Sequence, residues 1–182
     1  MSMNLTNKTN YQAYFTVLKG DMLIAEHLPV PPESMAELAT DLPPASVFAT
    51  TVIQGNTYTS ASQSFVGAAG FLAQVKQVMQ QGTFEFDMIH VPYSNPNQLQ
   101  LQKTCVGPVI FSIRQNDQVT QNVVVTDDFI PSTLNISDTY TVYAVINGVT
   151  TDAIQTSNPQ AAINAVVDTG VLESGYFLLV AS

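Results

Sequence analysis

The triplet Asp168-Thr169-Gly170 has the letters of the aspartic-peptidase signature. That chemistry needs two carboxylates that share a proton, one from each symmetric half of the site. The triplet that matches it in the internal repeat of the chain is Val75-Lys76-Gln77, which offers no second carboxylate. A homodimer could supply the missing group. We interpret the triplet instead as the end of a helix, with Gly170 as its terminator.

A thiol nucleophile is the second catalytic possibility, because the chain has one cysteine, Cys105, and two histidines, His27 and His90. A catalytic thiol needs an adjacent base and a third group that orients this base. The sequence around Cys105 has no Gly-rich turn of the kind that presents a nucleophile. We therefore predict that Cys105 is a buried, small apolar residue, that the chain has no catalytic residues, and that it is not an enzyme.

An acidic group formed by Asp127 and Asp128, with Asp117 or Asp138, could supply oxygen ligands to calcium. The spacing matches neither an EF-hand nor a calcium-binding nonapeptide repeat. We interpret these residues as exposed loop carboxylates and keep Asp127 and Asp128 as the candidates for a metal site. The sequence predicts no metal and no cofactor.

Tyrosine is numerous and tryptophan is absent. Exposed tyrosines beside Asn and Gln suit contacts with a sugar or a protein, and the candidates for ligand binding are Tyr58, Tyr93, Tyr140 and Tyr143. The alternative is that these side chains pack in the core and across neighbouring strands.

Charge restricts the partners of the protein. The net charge of −9 argues against nucleic acid, which requires clustered Lys and Arg, and equally against anionic membrane surfaces. Charged residues make up 10% of the chain, against an average of about 25%. A surface of Gln, Asn, Thr and Ser opposes association less than a charged surface does. The composition therefore favours a protein that assembles.

The start of the chain and its hydropathy bear on localisation. Residues 1–9 are polar and lack the apolar segment of a signal peptide. No apolar run approaches the ~20 residues of a membrane helix. A single cysteine cannot form an internal disulfide, which fits a reducing compartment. We expect a protein without a membrane span that is cytoplasmic, or released without a cleavable signal peptide.

The chain also contains an apparent internal repeat. The segment 14–17 (Tyr-Phe-Thr-Val) recurs 96 residues later as 110–113 (Ile-Phe-Ser-Ile). Further along, 53–55 (Ile-Gln-Gly) recurs as 146–148 (Ile-Asn-Gly), an offset of 93. Other collinear matches join Val78, Gly82 and Phe84 to Val171, Gly175 and Phe177. The change of offset falls in the proline-rich stretch 29–44, where an insertion costs little.

The repeat predicts the domain organisation. We expect a first repeat over 1–91, a linker over 92–104 and a second repeat over 105–182, packed as one body. The fold class is mainly β, or α+β. Each repeat should have three or four antiparallel strands, one helix and a closing strand. The two repeats should be related by a pseudo-two-fold axis, with their sheets either packed as in a β-sandwich or joined into one continuous sheet.

Hydrophobic spacing locates these elements. Thr83–Met88 alternates strictly and predicts a strand, and Asn147-Gly148 predicts a hairpin turn. Prolines at both ends of 29–44 predict a loop, with one short helix over 33–40. Two longer helices are predicted from apolar residues at helical spacing: Ala68, Phe71, Leu72, Val75 and Met79 between Ser64 and Gly82, and Ala162, Ile163, Val166 and Val167 after Asn158-Pro159.

These observations favour a non-catalytic structural or interaction protein, of microbial type, that associates with itself. The alternative is a lectin-like or toxin-like module that binds a glycan or a cell surface. A hydrolase that uses Asp168 or Cys105 is the least favoured hypothesis. The expected partner is thus a second copy of the chain, another protein or a glycan.

Overall fold

A computed structural model describes residues 1–41, 44–78, 82–93, 95–170 and 176–182. Within these ranges the chain forms strands and no helix, so the predicted mainly β class is confirmed. The strands, in chain order, are β1 (Ser2–Asn7), β2 (Ala13–Lys19), β3 (Met22–Val30), β4 (Ser34–Ala39), β5 (Ala45–Ile53), β6 (Asn56–Thr59), β7 (Gln63–Phe65), β8 (Ala69–Val78), β9 (Thr83–Val91), β10 (Gln98–Lys103), β11 (Val109–Gln115), β12 (Gln118–Val125), β13 (Ser132–Asn135), β14 (Tyr140–Ile146), β15 (Val149–Thr150), β16 (Ile154–Thr156), β17 (Ala162–Val167) and β18 (Phe177–Ala181). The described part of the chain contains no helix with the length and apolarity needed to cross a membrane.

The chain divides into two compact units. The first, here called the split unit, combines Met1–Leu42 with Ser137–Ser182. The second, the continuous unit, comprises Pro43–Ile136. This division cuts across the predicted boundaries at 1–91, 92–104 and 105–182, because each unit takes strands from both predicted repeats.

The split unit has two sheets. One has the order β18-β17-β1-β4, and the other has the order β15-β14-β2-β3 with β16 beside β14. Alternate residues of β1 and β14 are buried, since successive side chains of a strand point to opposite faces. The core residues include Leu5, Phe15, Val142 and Ile163. Two sheets that share one apolar core are consistent with the predicted sandwich.

The continuous unit also has two sheets. Their orders are β12-β11-β5-β6, with β7 beside β5, and β13-β10-β8-β9. Val47, Phe71, Leu99 and Phe111 are fully buried. The rings of Phe65 and Phe71 meet edge to face with centroids 5.8 Å apart, the geometry that aromatic pairs prefer.

The two units have corresponding strand orders. In the split unit β1 pairs with β17 in parallel and β2 pairs with β14 antiparallel. In the continuous unit β10 pairs with β8 in parallel and β11 pairs with β5 antiparallel. Register shifts lie beside Val17 in the β2–β3 pair and beside Ile113 in the β11–β12 pair. The predicted pair of self-contained repeats is nevertheless not supported, because no compact unit coincides with either repeat.

The two long helices predicted from apolar spacing are wrong. The segments 69–78 and 162–167 are the strands β8 and β17. Phe71 and Val75 fit a helical stripe, but residues four apart also share one face of a strand. The segment is a strand because it forms hydrogen bonds with strands on both sides: β8 lies between β9 and β10 in its sheet. The predicted helix position Met79 lies outside the described residues, as do the predicted repeat positions Val171 and Gly175.

The proline-rich stretch is also more regular than predicted. Ser34–Ala39, expected as a short helix, is the strand β4 paired with β1. Pro29 lies within β3, at the edge of its sheet, where a residue without an N–H can be accommodated. Two other predictions are confirmed: Thr83–Met88 is part of a strand, and Asn147-Gly148 connects β14 to β15. Asn147 and Gly148 both have positive φ, as this hairpin turn requires.

A buried asparagine holds together the loops of the split unit. Asn7 Nδ2 lies within hydrogen-bonding distance of the carbonyl oxygens of Tyr11 (2.7 Å) and Val30 (2.9 Å), and Asn7 Oδ1 accepts a bond from the Thr9 amide. Asn7→Ala would leave these groups buried and unpaired, so we expect a loss of about 2–3 kcal/mol in the free energy of unfolding. Chemical denaturation measures this loss. Asn4→Ala on the same strand is the control, and an equal loss there would contradict the prediction.

Candidate functional site

A cavity of about 310 Å³ opens in the continuous unit near the β5–β6 hairpin. Three separate segments form it: the hairpin, the facing parts of β8 and β9, and the loop after β10. Its lining includes Ile53, Tyr58, Val75, Phe84, Cys105 and Val106. Apolar side chains dominate, and the Tyr58 hydroxyl and the Gln54 and Thr104 side chains are the polar groups available to a ligand. This composition suits an apolar or aromatic group more than a charged one.

Large apolar side chains remain exposed at this cavity and elsewhere in the continuous unit. Val106 is 89% exposed and Phe84 is 59% exposed. Phe129, in the loop after β12, is 93% exposed and is followed by the exposed Ile130. Single exposed apolar residues are ordinary, whereas several on neighbouring loops indicate a contact surface. We call the two loops that carry Val106, Phe129 and Ile130 the apolar loops of the continuous unit, and Phe84 lies on the strand β9.

An ion pair between a buried lysine and a partly exposed aspartate joins the two apolar loops. Lys103, the last residue of β10, is 2% exposed, and its ammonium group pairs with the Asp128 carboxylate. The same Nζ atom donates a hydrogen bond of 3.1 Å to the carbonyl oxygen of Cys105. The pair therefore connects the loop that carries Val106 to the loop that carries Phe129.

Cys105 has the burial expected from the sequence. It is a free thiol that lines the cavity. Burial raises the pKa of this thiol above its usual value. Because the thiolate is the nucleophile, a raised pKa lowers the reactivity of Cys105 at neutral pH.

The predicted acidic group is dispersed over separate interactions. Asp127 Oδ1 accepts a bond from the Phe129 amide at 2.8 Å, and Asp128 pairs with Lys103. Asp138 belongs to the split unit, where it lies 2.8 Å from Lys19 and raises the pKa of this lysine. Asp117 is in the β11–β12 turn with positive φ. Within the described ranges, no three His, Cys, Asp or Glu side chains are grouped as a metal site would require.

The four candidate tyrosines lie in different environments. Tyr58 is half-buried at the cavity, and the Tyr93 hydroxyl lies 2.5 Å from Gln98 Oε1. Tyr140 is buried in the split unit, with the Lys19 ammonium 5.7 Å from its ring. Tyr143 is half-buried on the same strand, β14, and residues three apart point to opposite faces of a strand. Of the four, Tyr58 is the one that lines the cavity.

The remaining candidates for catalysis occupy structural positions. Asp168 follows β17, not a helix as predicted, and its Oδ1 accepts a bond of 2.8 Å from the Gly170 amide. His27 is exposed on β3 with a φ of 49°. The centroid of the His90 ring lies 4.4 Å from that of the Phe71 ring in the continuous unit. Asp168 is thus used in a turn and His90 in a ring contact, whereas His27 is an exposed residue of an irregular strand pair.

Sequence reasoning missed Lys103, although a signal for its burial was present. In Gln98–Lys103 the buried Leu99 and Leu101 alternate with glutamines, so Lys103 falls in the buried phase of the strand. A charge in such a position requires a partner, because an unpaired buried charge is expensive. A search for that partner would have included Asp127 and Asp128.

Comparison with known proteins adds no relative to this description. No protein family, no curated protein and no solved structure matches the chain.

Proposed function

We propose that this protein is a non-catalytic interaction protein that associates with itself. The observation that carries the proposal is the exposure of Val106, Phe129 and Ile130 in the apolar loops of the continuous unit, together with that of Phe84 on β9. When a partner removes exposed apolar side chains from water, the free energy falls by about 25 cal/mol for each Å² that is buried.

The composition supports a contact of this kind. A net charge of −9 opposes association in general, but only 10% of the residues carry charge. Contact surfaces that are rich in aromatic and aliphatic residues and poor in charged ones are typical of the centres of protein interfaces. A second copy of the chain supplies such a surface without any further partner.

Sedimentation over a range of protein concentrations tests this function. We expect the average mass to rise with concentration above that of the 19.7 kDa chain. Phe129→Ser together with Ile130→Ser should weaken the association, whereas Val66→Ser, at an exposed position in a different loop, should not. A wild-type protein that remains monomeric at every concentration would refute self-association.

The cavity supports a second candidate function, which is glycan binding. Tyr58 is half-buried there beside Gln54 and Thr104, and an aromatic ring flanked by amide and hydroxyl groups can stack on a sugar. A glycan array probed with the wild-type protein and with Tyr58→Ala tests this function. Binding that persists in Tyr58→Ala would exclude the cavity as its site.

We also infer that the chain arose by duplication of a nine-strand segment. The support is that β1–β9 and β10–β18 have corresponding pairings and that the sequence offset of 96 joins β2 to β11. On this view each compact unit combines the first four strands of one copy with the last five of the other. The inference predicts that homologous sequences will include chains with one copy of the segment.

A further inference from the structure

We propose that the strand β12 is the site at which two copies of this chain join, by antiparallel edge-to-edge pairing of their sheets. The inference rests on the proposed self-association and names the contact. β12 is the edge of its sheet, and among the described strands it pairs with β11 alone. An edge strand offers backbone N–H and C=O groups to which another chain can pair.

The sequence of β12 lacks the features that normally block such pairing. Gln118–Val125 has eight residues, with no charge and no proline. Val119 is 46% exposed and Val124 is 55% exposed. Natural proteins protect exposed edges with charges, prolines and bulges that bend the strand away. β12 has one register shift, at its start, and the segment from Gln121 to Val125 pairs regularly with β11.

The strand β3, at the corresponding edge of the split unit, does have features that block pairing. β3 pairs with β2 as β12 pairs with β11. However, β3 carries Glu26, Pro29 and the positive φ of His27, and its pairing with β2 shifts register twice. The strand β3 is thus protected by a charge, a proline and bulges. The strand β12, which has the same place in the continuous unit, has neither a charge nor a proline. This difference favours β12 as the strand that receives a partner.

The occupant that fits β12 is β12 of a second copy. The exposed valines lie near opposite ends of the strand, so antiparallel pairing about its centre brings Val119 of one copy close to Val124 of the partner subunit. Directly opposed β-branched side chains stabilise a strand pair. Phe129 and Ile130, four and five residues after β12, extend the apolar contact beyond the strand.

The flanking charges predict how the pairing responds to salt. Asp117 precedes β12 and Asp127 follows it. Antiparallel pairing places the start of one strand beside the end of the other, so these carboxylates of the two copies approach one another. Since salt screens repulsion between exposed charges, the association should strengthen as the salt concentration rises to about 0.5 M.

A charge-swap experiment tests the contact. Val119→Glu with Val124→Glu places like charges opposite each other and beside Asp117 and Asp127, so the dissociation constant should rise by about tenfold or more. A 1:1 mixture with the Val119→Lys, Val124→Lys variant should restore association as a mixed dimer. Val66→Glu with Ala153→Glu adds the same charge in exposed loops and should leave association unchanged.

The outcomes separate this inference from the function on which it rests. A wild-type protein that never associates refutes the function. Association that is retained by the β12 glutamate variant refutes the contact alone, and so does the absence of rescue in the mixture. Circular dichroism shows whether each variant folds. If the glutamate variant is unfolded, amide exchange in the wild-type protein decides: protection of β12 should increase with protein concentration, and unchanged protection would overturn the proposal.

Discussion

Replacing Asp128 with alanine is expected to cost about 3 kcal/mol in the free energy of unfolding. The substitution would remove the carboxylate that pairs with Lys103, whose side chain is 1% exposed. The buried ammonium group would then keep the carbonyl oxygen of Cys105 as its hydrogen-bond partner. The value lies at the low end of the range for broken buried pairs because Asp128 is itself 41% exposed and partly screened by water. Denaturant unfolding at constant protein concentration measures the change.

The adjacent carboxylate provides the matched control. Asp127→Ala removes one hydrogen bond, to the Phe129 amide at 2.8 Å, and leaves no buried charge. Its cost should not exceed about 1 kcal/mol. Adding Lys103→Met to Asp128→Ala should recover most of the lost stability, because an apolar side chain of similar length replaces the unpaired, buried ammonium group. Equal costs for the two aspartates would show that the ion pair does not stabilise the loops.

Phe71→Ala is the second large effect that we expect, with a loss of about 3–5 kcal/mol in the free energy of unfolding. Phe71 is completely buried on β8, and its ring contacts Phe65 and His90. Alanine would leave a cavity in the core and remove both ring contacts. The prediction depends on burial alone, so it follows equally from a strand and from the helix first expected for this segment.

Phe84→Ala tests whether burial is the cause. Phe84 is on the neighbouring strand β9, where its side chain is exposed. Its replacement should change the free energy of unfolding by no more than about 0.5 kcal/mol. Thermal or chemical unfolding of both variants decides the matter. A similar loss at both positions would mean that ring size, and not burial, determines the effect.

The β class could be predicted because alternation is a local signal. The segment 83–88 and the hairpin turn at Asn147-Gly148 were both identified in this way. The segment around Phe71 and Val75 could not be resolved locally, because residues four apart share a face in a helix and in a strand alike. Parallel pairing between β8 and β10 decided the outcome, and such long-range pairing leaves no mark in a short window of sequence.

The candidate site was harder to predict for a similar reason. Tyr58, Phe84 and Cys105 are distant in sequence and come together at the cavity through sheet pairing. Tyr58 was selected from residue type alone, and the same criterion selected Tyr140, which is buried. Lys103 could have been found from its place in the alternation of β10. Its partner Asp128 was already a candidate, although for a metal.

The division of strands between the two units has a consequence for biosynthesis. All the strands of the continuous unit are adjacent in the chain, so this unit can fold as soon as the ribosome has released residue 136. In contrast, β1 cannot pair with β17 until the whole continuous unit has been made. Once the middle of the chain has folded, it shortens the flexible loop that separates β1 from β17 and lowers the entropy lost when they meet. We therefore expect an order of assembly in which the continuous unit folds first and the two parts of the split unit join afterwards.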